Sequence, residues 1–245
     1  MPKIKLIVEY NGSAFHGWQV QPGLRTIQAE MQRAIEIVVH GKVPTIEASG
    51  RTDSGVHARA QVVCVTLDKT PDLMRFRRSI SALLPHEVSV LSAEVVDENF
   101  DPRRHTIAKQ YSYQILNRDV APTLSQCYVW HVPWHIDRQR LIEDARVLVG
   151  EHDFASFRSA TCQSKTSRRT LLESEVVCNG DVITYRVVGQ GFMKQMVRNI
   201  VGTLVGLASN RLRGITMQQI LERRDRTCAG VTAPAHGLYL DWVKY

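Results

Sequence analysis

Apolar and polar positions fall along the chain in two successive series of the same kind. Residues 4–10 alternate with a period of two and read as a strand. Thr26 can cap a helix whose apolar stripe is Ile27, Met31, Ala34, Ile35 and Val38. Short runs at 45–48 and 61–67 read as strands. Thr70 is expected to cap a second helix with Pro71 at its first position and Pro85 beyond its end, so that Leu73, Phe76, Ile80 and Leu84 face a core. Residues 88–96 form the next strand, which makes the order β-α-β-β-α-β.

The second series repeats that order. Residues 111–116 read as a strand and 137–149 as a helix that Gly150 ends. Residues 172–178 and 182–188 form a hairpin across Asn179-Gly180. Residues 192–207 follow as an apolar helix, and Thr216 with Gln219 has the spacing of a capping box on a short helix. Residues 238–245 close as a strand. The pattern predicts an α+β protein of two ferredoxin-like (βαββαβ, RRM-like) halves, residues 1–105 and 106–245, whose mainly antiparallel sheets flank a central cleft, which by fold-level analogy alone would be an RNA-binding cleft. Sheets of this type serve as RNA platforms when aromatic and basic groups line them.

Composition narrows the class. The 245 residues suffice for one large domain or two small ones, and 44% hydrophobic with 22% charged residues suits a globular chain. No apolar run is long enough to span a membrane, and the alternating N-terminus lacks the apolar core of a signal peptide, so a cytoplasmic location is expected. The five cysteines are scattered and form no C-x-x-C pair, which argues against a disulfide framework or a thiolate zinc site. The formal net charge is +7, and arginines cluster, as at Arg168-Arg169 and Arg223-Arg224. That balance suits a polyanionic partner, although solvated surface charge explains it as well.

Candidate chemistry concentrates in Ala48-Ser49-Gly50-Arg51-Thr52-Asp53-Ser54-Gly55-Val56-His57-Ala58, which joins two strands. By itself the segment reads as a turn, since aspartate bonds its own backbone and glycine takes positive φ. Other segments change that reading. Gly-Arg-Thr-Asp followed by Gly-Val-His-Ala resembles the signature of the tRNA pseudouridine synthase I (TruA) family. Residues 10–19, Tyr-Asn-Gly-Ser-Ala-Phe-His-Gly-Trp-Gln, resemble that family's opening strand and loop. Phe100-Asp101-Pro102-Arg103 through Lys109-Gln110-Tyr111-Ser112-Tyr113 resembles its tyrosine motif, and Gly191-Phe192-Met193 through Arg198 to Gly202 its arginine helix. His152-Asp153-Phe154-Ala155-Ser156-Phe157 and Ala233-Pro234-Ala235-His236-Gly237-Leu238 match further blocks, in family order over essentially the whole chain. Lys109 and Pro102 depart from the arginine and alanine more usual there.

The resemblance implies that Asp53 is the catalytic aspartate, Tyr111 the active-site tyrosine that stacks on the target base, and Arg198 the arginine paired with the carboxylate. Arg198 lies in an apolar stretch, where an unpaired charge is costly, so it calls for a partner on physical grounds too. Arg51 is expected to contact phosphate or assist base flipping, His57 to be structural or to touch RNA, and Arg168 and Arg169 to bind the substrate backbone. Tyr113 is expected to pack in the core. The implied substrate is the tRNA anticodon stem-loop at uridines 38, 39 and 40, rather than DNA, and the implied assembly is a homodimer. No metal, nucleotide or organic cofactor is expected, since neither a Walker loop nor a dinucleotide fingerprint is present and Pro133 breaks the helical spacing of His131 and His135. Two rival classes are a non-catalytic RNA-binding protein with two RRM-like halves, which lacks the expected aromatic signature, and a metal-dependent nuclease using Asp53 and His57, which lacks a set of carboxylates.

Overall fold

In the computed structural model, which describes Met1–Tyr245, the N-terminal alternation becomes strand β1 (Lys3–Tyr10), with Ile4, Leu6 and Val8 wholly buried. Helix α1 (Ile27–Val38), strands β2 (Glu47–Ala48) and β3 (His57–Thr66), helix α2 (Leu73–Leu83) and strand β4 (Val88–Val96) follow. β1 pairs antiparallel with both β3 and β4, and β2 pairs antiparallel with β3. The order is therefore β4-β1-β3-β2, with α1 and α2 packed on each other and α2 on β4. These elements belong to a compact unit of Met1–Ile107 together with Leu240–Tyr245.

The last residues, read from sequence as closing the second half, are held in this first unit by specific contacts. Arg59 pairs with Asp241, the Ile107 amide donates to the Lys244 carbonyl at 2.8 Å, and the Tyr245 hydroxyl donates to the Pro102 carbonyl at 2.8 Å.

A second unit spans Ala108–Tyr239. It contains β5 (Ala108–Asn117), β6 (Trp130–Val132), α3 (Arg138–Arg146), β7 (Gly150–Asp153), β8 (Arg168–Asn179), β9 (Val182–Gly189), α4 (Met196–Ala208) and α5 (Met217–Arg223); β10 (Leu238–Lys244) begins at its end. β5-β9-β8-β7 are antiparallel neighbours, and β6 runs parallel to the end of β5. α3 packs against α4 and β8. The protein is thus α+β. No helix is long and apolar enough to cross a membrane.

Differences from the sequence reading have identifiable physical causes. α2 starts after Asp72, not Thr70, because the Asp72 carboxylate accepts the Arg75 amide at 2.9 Å, and a carboxylate at a helix N-terminus also meets the macrodipole favourably. Thr26 occupies the N-cap of α1 without a capping hydrogen bond. α3 ends at Arg146, and Gly150, at φ +106°, opens β7. α4 begins at Met196, four residues late, because Gln195 sits at φ +61°, a left-handed conformation that a continuing helix cannot include. The Thr216–Gln219 capping box and the turn at Asn179-Gly180, with Gly180 at φ +55°, form as the pattern predicts. β6 and β7 are short and carry no periodic signature.

One close approach orders the second unit. The loop at 229–233 lies directly on α4, and a Cβ on Gly202 would meet the Val231 carbonyl oxygen at 1.7 Å. Alanine normally favours a helix over glycine by about 1 kcal/mol, but here the overpacking outweighs that gain. Gly202→Ala should lower the unfolding free energy by about 1–3 kcal/mol. Gly206→Ala on the same helix, whose new Cβ would stand 3.4 Å from Leu212 Cβ, should be neutral or stabilising. Urea unfolding of both variants checks this; a Gly202→Ala protein as stable as wild type would remove the close approach.

Candidate active site

Asp53 lies in the connection between β2 and β3, where residues 50–56 make no ladder. Backbone polar groups without a ladder need other partners, and buried side chains supply them. Gln61, 0% exposed on β3, donates to the Gly50 carbonyl at 2.9 Å and accepts from the Ser49 hydroxyl at 2.6 Å. The Tyr10 hydroxyl, at the end of β1, bonds the Thr52 hydroxyl at 2.8 Å. Burial pushes the Tyr10 phenol up to about 12, against the hydrogen bonds with Thr52 and Gln61, so it stays a neutral partner. Within the loop the Val56 amide closes on the Asp53 carbonyl at 3.2 Å, and Gly55 takes φ +79°.

A second segment, residues 11–18, covers this loop. The Trp18 amide donates to the Thr52 carbonyl at 3.1 Å, and the Ser54 hydroxyl donates to the Phe15 carbonyl at 3.1 Å. The approach is too close for side chains: a Cβ on Gly17 would lie 2.8 Å from the Thr52 oxygen, and one on Gly12 would lie 2.0 Å from the Val56 oxygen. His57 belongs to this clasp. It is 2% exposed, and its Nδ1 accepts the Gly12 amide at 3.2 Å. Arg51 is exposed and Asp53 half-buried, in a loop whose backbone is held on both sides.

In the second unit Tyr111 lies on β5 opposite Val187, largely buried, its ring edge-on to Phe192 at 5.0 Å between centroids. Gly189 permits that arrangement, since a Cβ there would stand 3.0 Å from the Phe192 ring and 3.1 Å from the Thr170 carbonyl. Arg198, half-buried in the first turn of α4, donates from Nε to the Ala233 carbonyl at 2.8 Å, and the Ala233 amide returns a bond to the Arg198 carbonyl at 3.1 Å. Burial drives the Tyr113 phenol well above the ordinary tyrosine range, with the Arg198 charge pulling the other way. Burial also lowers the His236 pKa; a backbone hydrogen bond with Val129 opposes the shift and the Arg198 charge adds to it.

Arg168 and Arg169 differ. Arg168 is 67% exposed and pairs with Glu151 at 3.3 Å. The Arg169 guanidinium turns inward to the Thr166 carbonyl at 3.1 Å and to the Ser164 hydroxyl. Together with Glu151, Thr170, Gln190 and Gly191 they line a shallow pocket. No group of three or more His, Cys, Asp or Glu side chains is gathered that could hold a metal ion. Within the first unit, Arg51 and Asp53 thus share one loop and His57 opens β3 directly after it; within the second, Tyr111, Arg198, Arg168 and Arg169 stand on β5, α4 and β8.

Sequence reasoning assigned no role to Tyr10, Gln61, Asn199 or Arg226. A signal existed for two of them: Gln61 interrupts the apolar run of β3, and Asn199 that of α4, and each is wholly buried. A buried amide must be hydrogen-bonded, which marks such positions as organisers of nearby backbone.

Comparison with known proteins agrees with these motifs. Residues 145–245 match the family described as tRNA pseudouridine synthase. The chain is 43% identical to the tRNA pseudouridine synthase A of Methylobacterium nodulans, over 100% of this chain and 96% of that one. It is 40% identical to the Citrifermentans bemidjiense protein of the same name, over 100% and 98%, and 37% identical to that of Coxiella burnetii, over 100% and 94%. A crystal structure of a Cbf5-Nop10-Gar1 complex is matched at 13% identity with a TM-score of 0.39, over 96% of this chain and 57% of that one, too weak a likeness to carry an argument. Identity of this order over the full length, with the Asp53 loop and the Arg198 helix both inside the aligned span, shows that the chain belongs to the tRNA pseudouridine synthase A family.

Proposed function

We propose that the protein isomerises uridine to pseudouridine in tRNA, with Asp53 as the essential carboxylate. The observation that carries this reading is the Asp53 loop itself: an irregular segment held by buried side chains, with a half-buried aspartate in it, in a chain of this family. The reaction breaks the N1–C1′ bond, turns the uracil and forms a C5–C1′ bond, with no redox change and no external energy. An ionised aspartate serves it either by attacking C1′ or by assisting deprotonation of the ribose towards a glycal. In both routes the carboxylate must be charged and held close to the sugar.

In this reading Tyr111 stacks on the flipped uracil close to C5, where a proton must leave. Arg198 supplies the cation that keeps a carboxylate ionised. Arg51 takes a phosphate or assists flipping. His57 acts through the loop it braces. Arg168 and Arg169 bind the tRNA backbone, Arg168 directly and Arg169 by shaping its loop. The substrate is the anticodon stem-loop at positions 38, 39 and 40, the working assembly is a homodimer, and the location is the cytoplasm. The β-α-β-β-α-β order of β1 to β4 supports a ferredoxin-like first half, near 1–105; for the second, near 106–245, the same plan is read with β6, β7 and α5 as additions to it.

Asp53→Asn keeps the shape and removes the charge. Pseudouridine formation on tRNA should fall by far more than tenfold, that is, by more than about 1.4 kcal/mol of barrier, with tRNA affinity largely kept because distributed phosphate contacts supply it. Turnover within about tenfold of wild type would overturn the assignment, and wild-type protein that binds tRNA without forming pseudouridine would favour a non-catalytic RNA-binding protein.

Binding should weaken steeply with salt. Replacing Arg168 and Arg169 together by alanine should reduce the slope of log K against log salt by about one unit. A filter-binding series at increasing salt measures it, and an unchanged slope would make the pair ordinary surface charge.

A further inference from the structure

Residues 226–237 carry one of the family-like blocks, yet none of them is used in the chemistry above. This segment crosses α4 and is tied down at both ends. At one end the Arg226 guanidinium donates to the Gly230 carbonyl at 2.8 Å, the Thr232 hydroxyl at 3.2 Å and the Asn199 amide oxygen at 3.2 Å. Asn199, wholly buried and next to Arg198 on α4, also accepts the Thr232 hydroxyl at 2.7 Å and donates to the Phe157 carbonyl at 2.9 Å. The Gly230 amide donates to the Thr203 hydroxyl at 2.9 Å. At the other end the Tyr113 hydroxyl donates to the Pro234 carbonyl at 2.7 Å, and Gly237 lies flush on the tyrosine ring, where an added Cβ would stand 2.6 Å from Cζ.

Between the two anchors lies Ala233, whose carbonyl receives the Arg198 Nε. A guanidinium is planar, so fixing Nε and the carbonyl it meets sets the direction of the two terminal nitrogens. We propose that Tyr113 and Arg226 are positioning residues for the uridine isomerisation: they hold the 226–237 segment from its two ends, and its Ala233 carbonyl aims the Arg198 guanidinium. The inference rests on the reading of Arg198 as a catalytic group. It assigns to Tyr113 more than the core packing its strand position suggests, because the hydroxyl is committed to the backbone next to Ala233. It also explains why an arginine stands half-buried at 226, where its fork takes a carbonyl, a hydroxyl and an amide oxygen at once.

A double-mutant cycle tests it with single-turnover pseudouridine formation at saturating enzyme, tRNA binding and thermal unfolding measured in parallel. Tyr113→Phe removes only the hydroxyl. It should lower the single-turnover rate by about tenfold while the dissociation constant for tRNA stays within about twofold. In an Arg198→Lys background, where the directed guanidinium is gone, Tyr113→Phe should have no further effect on the rate. Arg226→Lys keeps the charge without the fork and should follow the same pattern, which covers the case of a poorly folded Tyr113→Phe protein. Losses that multiply with Arg198→Lys, or that follow the folded fraction alone, would overturn the positioning role. So would unchanged Tyr113→Phe and Arg226→Lys rates beside an impaired Arg198→Lys enzyme, and that result would leave the reading of Arg198 standing. An Arg198→Lys enzyme as fast as wild type would instead remove that reading, and this inference with it.

Discussion

A loop that makes no ladder hydrogen bonds must have its backbone held by something else, and around Asp53 buried polar side chains do it. The Gln61 amide on β3 takes the Gly50 carbonyl and the Ser49 hydroxyl, the Tyr10 phenol takes the Thr52 hydroxyl, and the His57 ring takes the Gly12 amide. Each of these groups is buried, so each would cost free energy if its partner were lost. The loop around Asp53 is therefore a low-tolerance structure: its geometry is set by hydrogen bonds from buried side chains. Such rigidity is what the proposed role of Asp53 asks for, since a working group must be held in a fixed geometry by its surroundings.

Close backbone approach is the complementary device. Gly12 and Gly17 let residues 11–18 lie on the Asp53 loop, as Gly202 and Gly230 let the 229–233 loop lie on α4. In both units a functional candidate stands beside a place where two backbones nearly touch. Side chains at those glycines would separate the segments, and the hydrogen bonds from Trp18 to Thr52 and from Ala233 to Arg198 would go with them. Small residues here are a packing requirement before they are a conformational one, although Gly17 at φ +89° satisfies both.

Much of the secondary structure was legible in the sequence because it rests on local regularities. The period-two run of β1, the amphipathic faces of α1 and α2, the Asn179-Gly180 turn and the Thr216–Gln219 box all depend on neighbours within a few residues. The α4 start was misplaced for the opposite reason. Residues 192–195 carry the right composition for a helix, yet Phe192 turns to Tyr111 on β5 and Gln195 adopts a left-handed conformation. A contact with a distant strand overrode a local preference. β6 and β7 were missed because strands of three and four residues hold too few positions to show a period.

The sequence by itself determined the kinds of element, their order, the positive balance of charge and, through motifs spread over the whole chain, the family. Those properties are written in short windows and in residue identity, which need no knowledge of what lies across space. Only the tertiary structure decided that Gln61 and Tyr10 brace the Asp53 loop, that His57 spends a ring nitrogen on the Gly12 amide, that Arg169 turns into its own loop while Arg168 faces solvent, and that residues 240–245 belong with the first unit. Each of those outcomes is a choice of partner made by groups far apart in the chain. A buried polar group must find a partner, but its sequence position does not say which one; that is settled only when packing brings a donor and an acceptor to within 3 Å or so of each other.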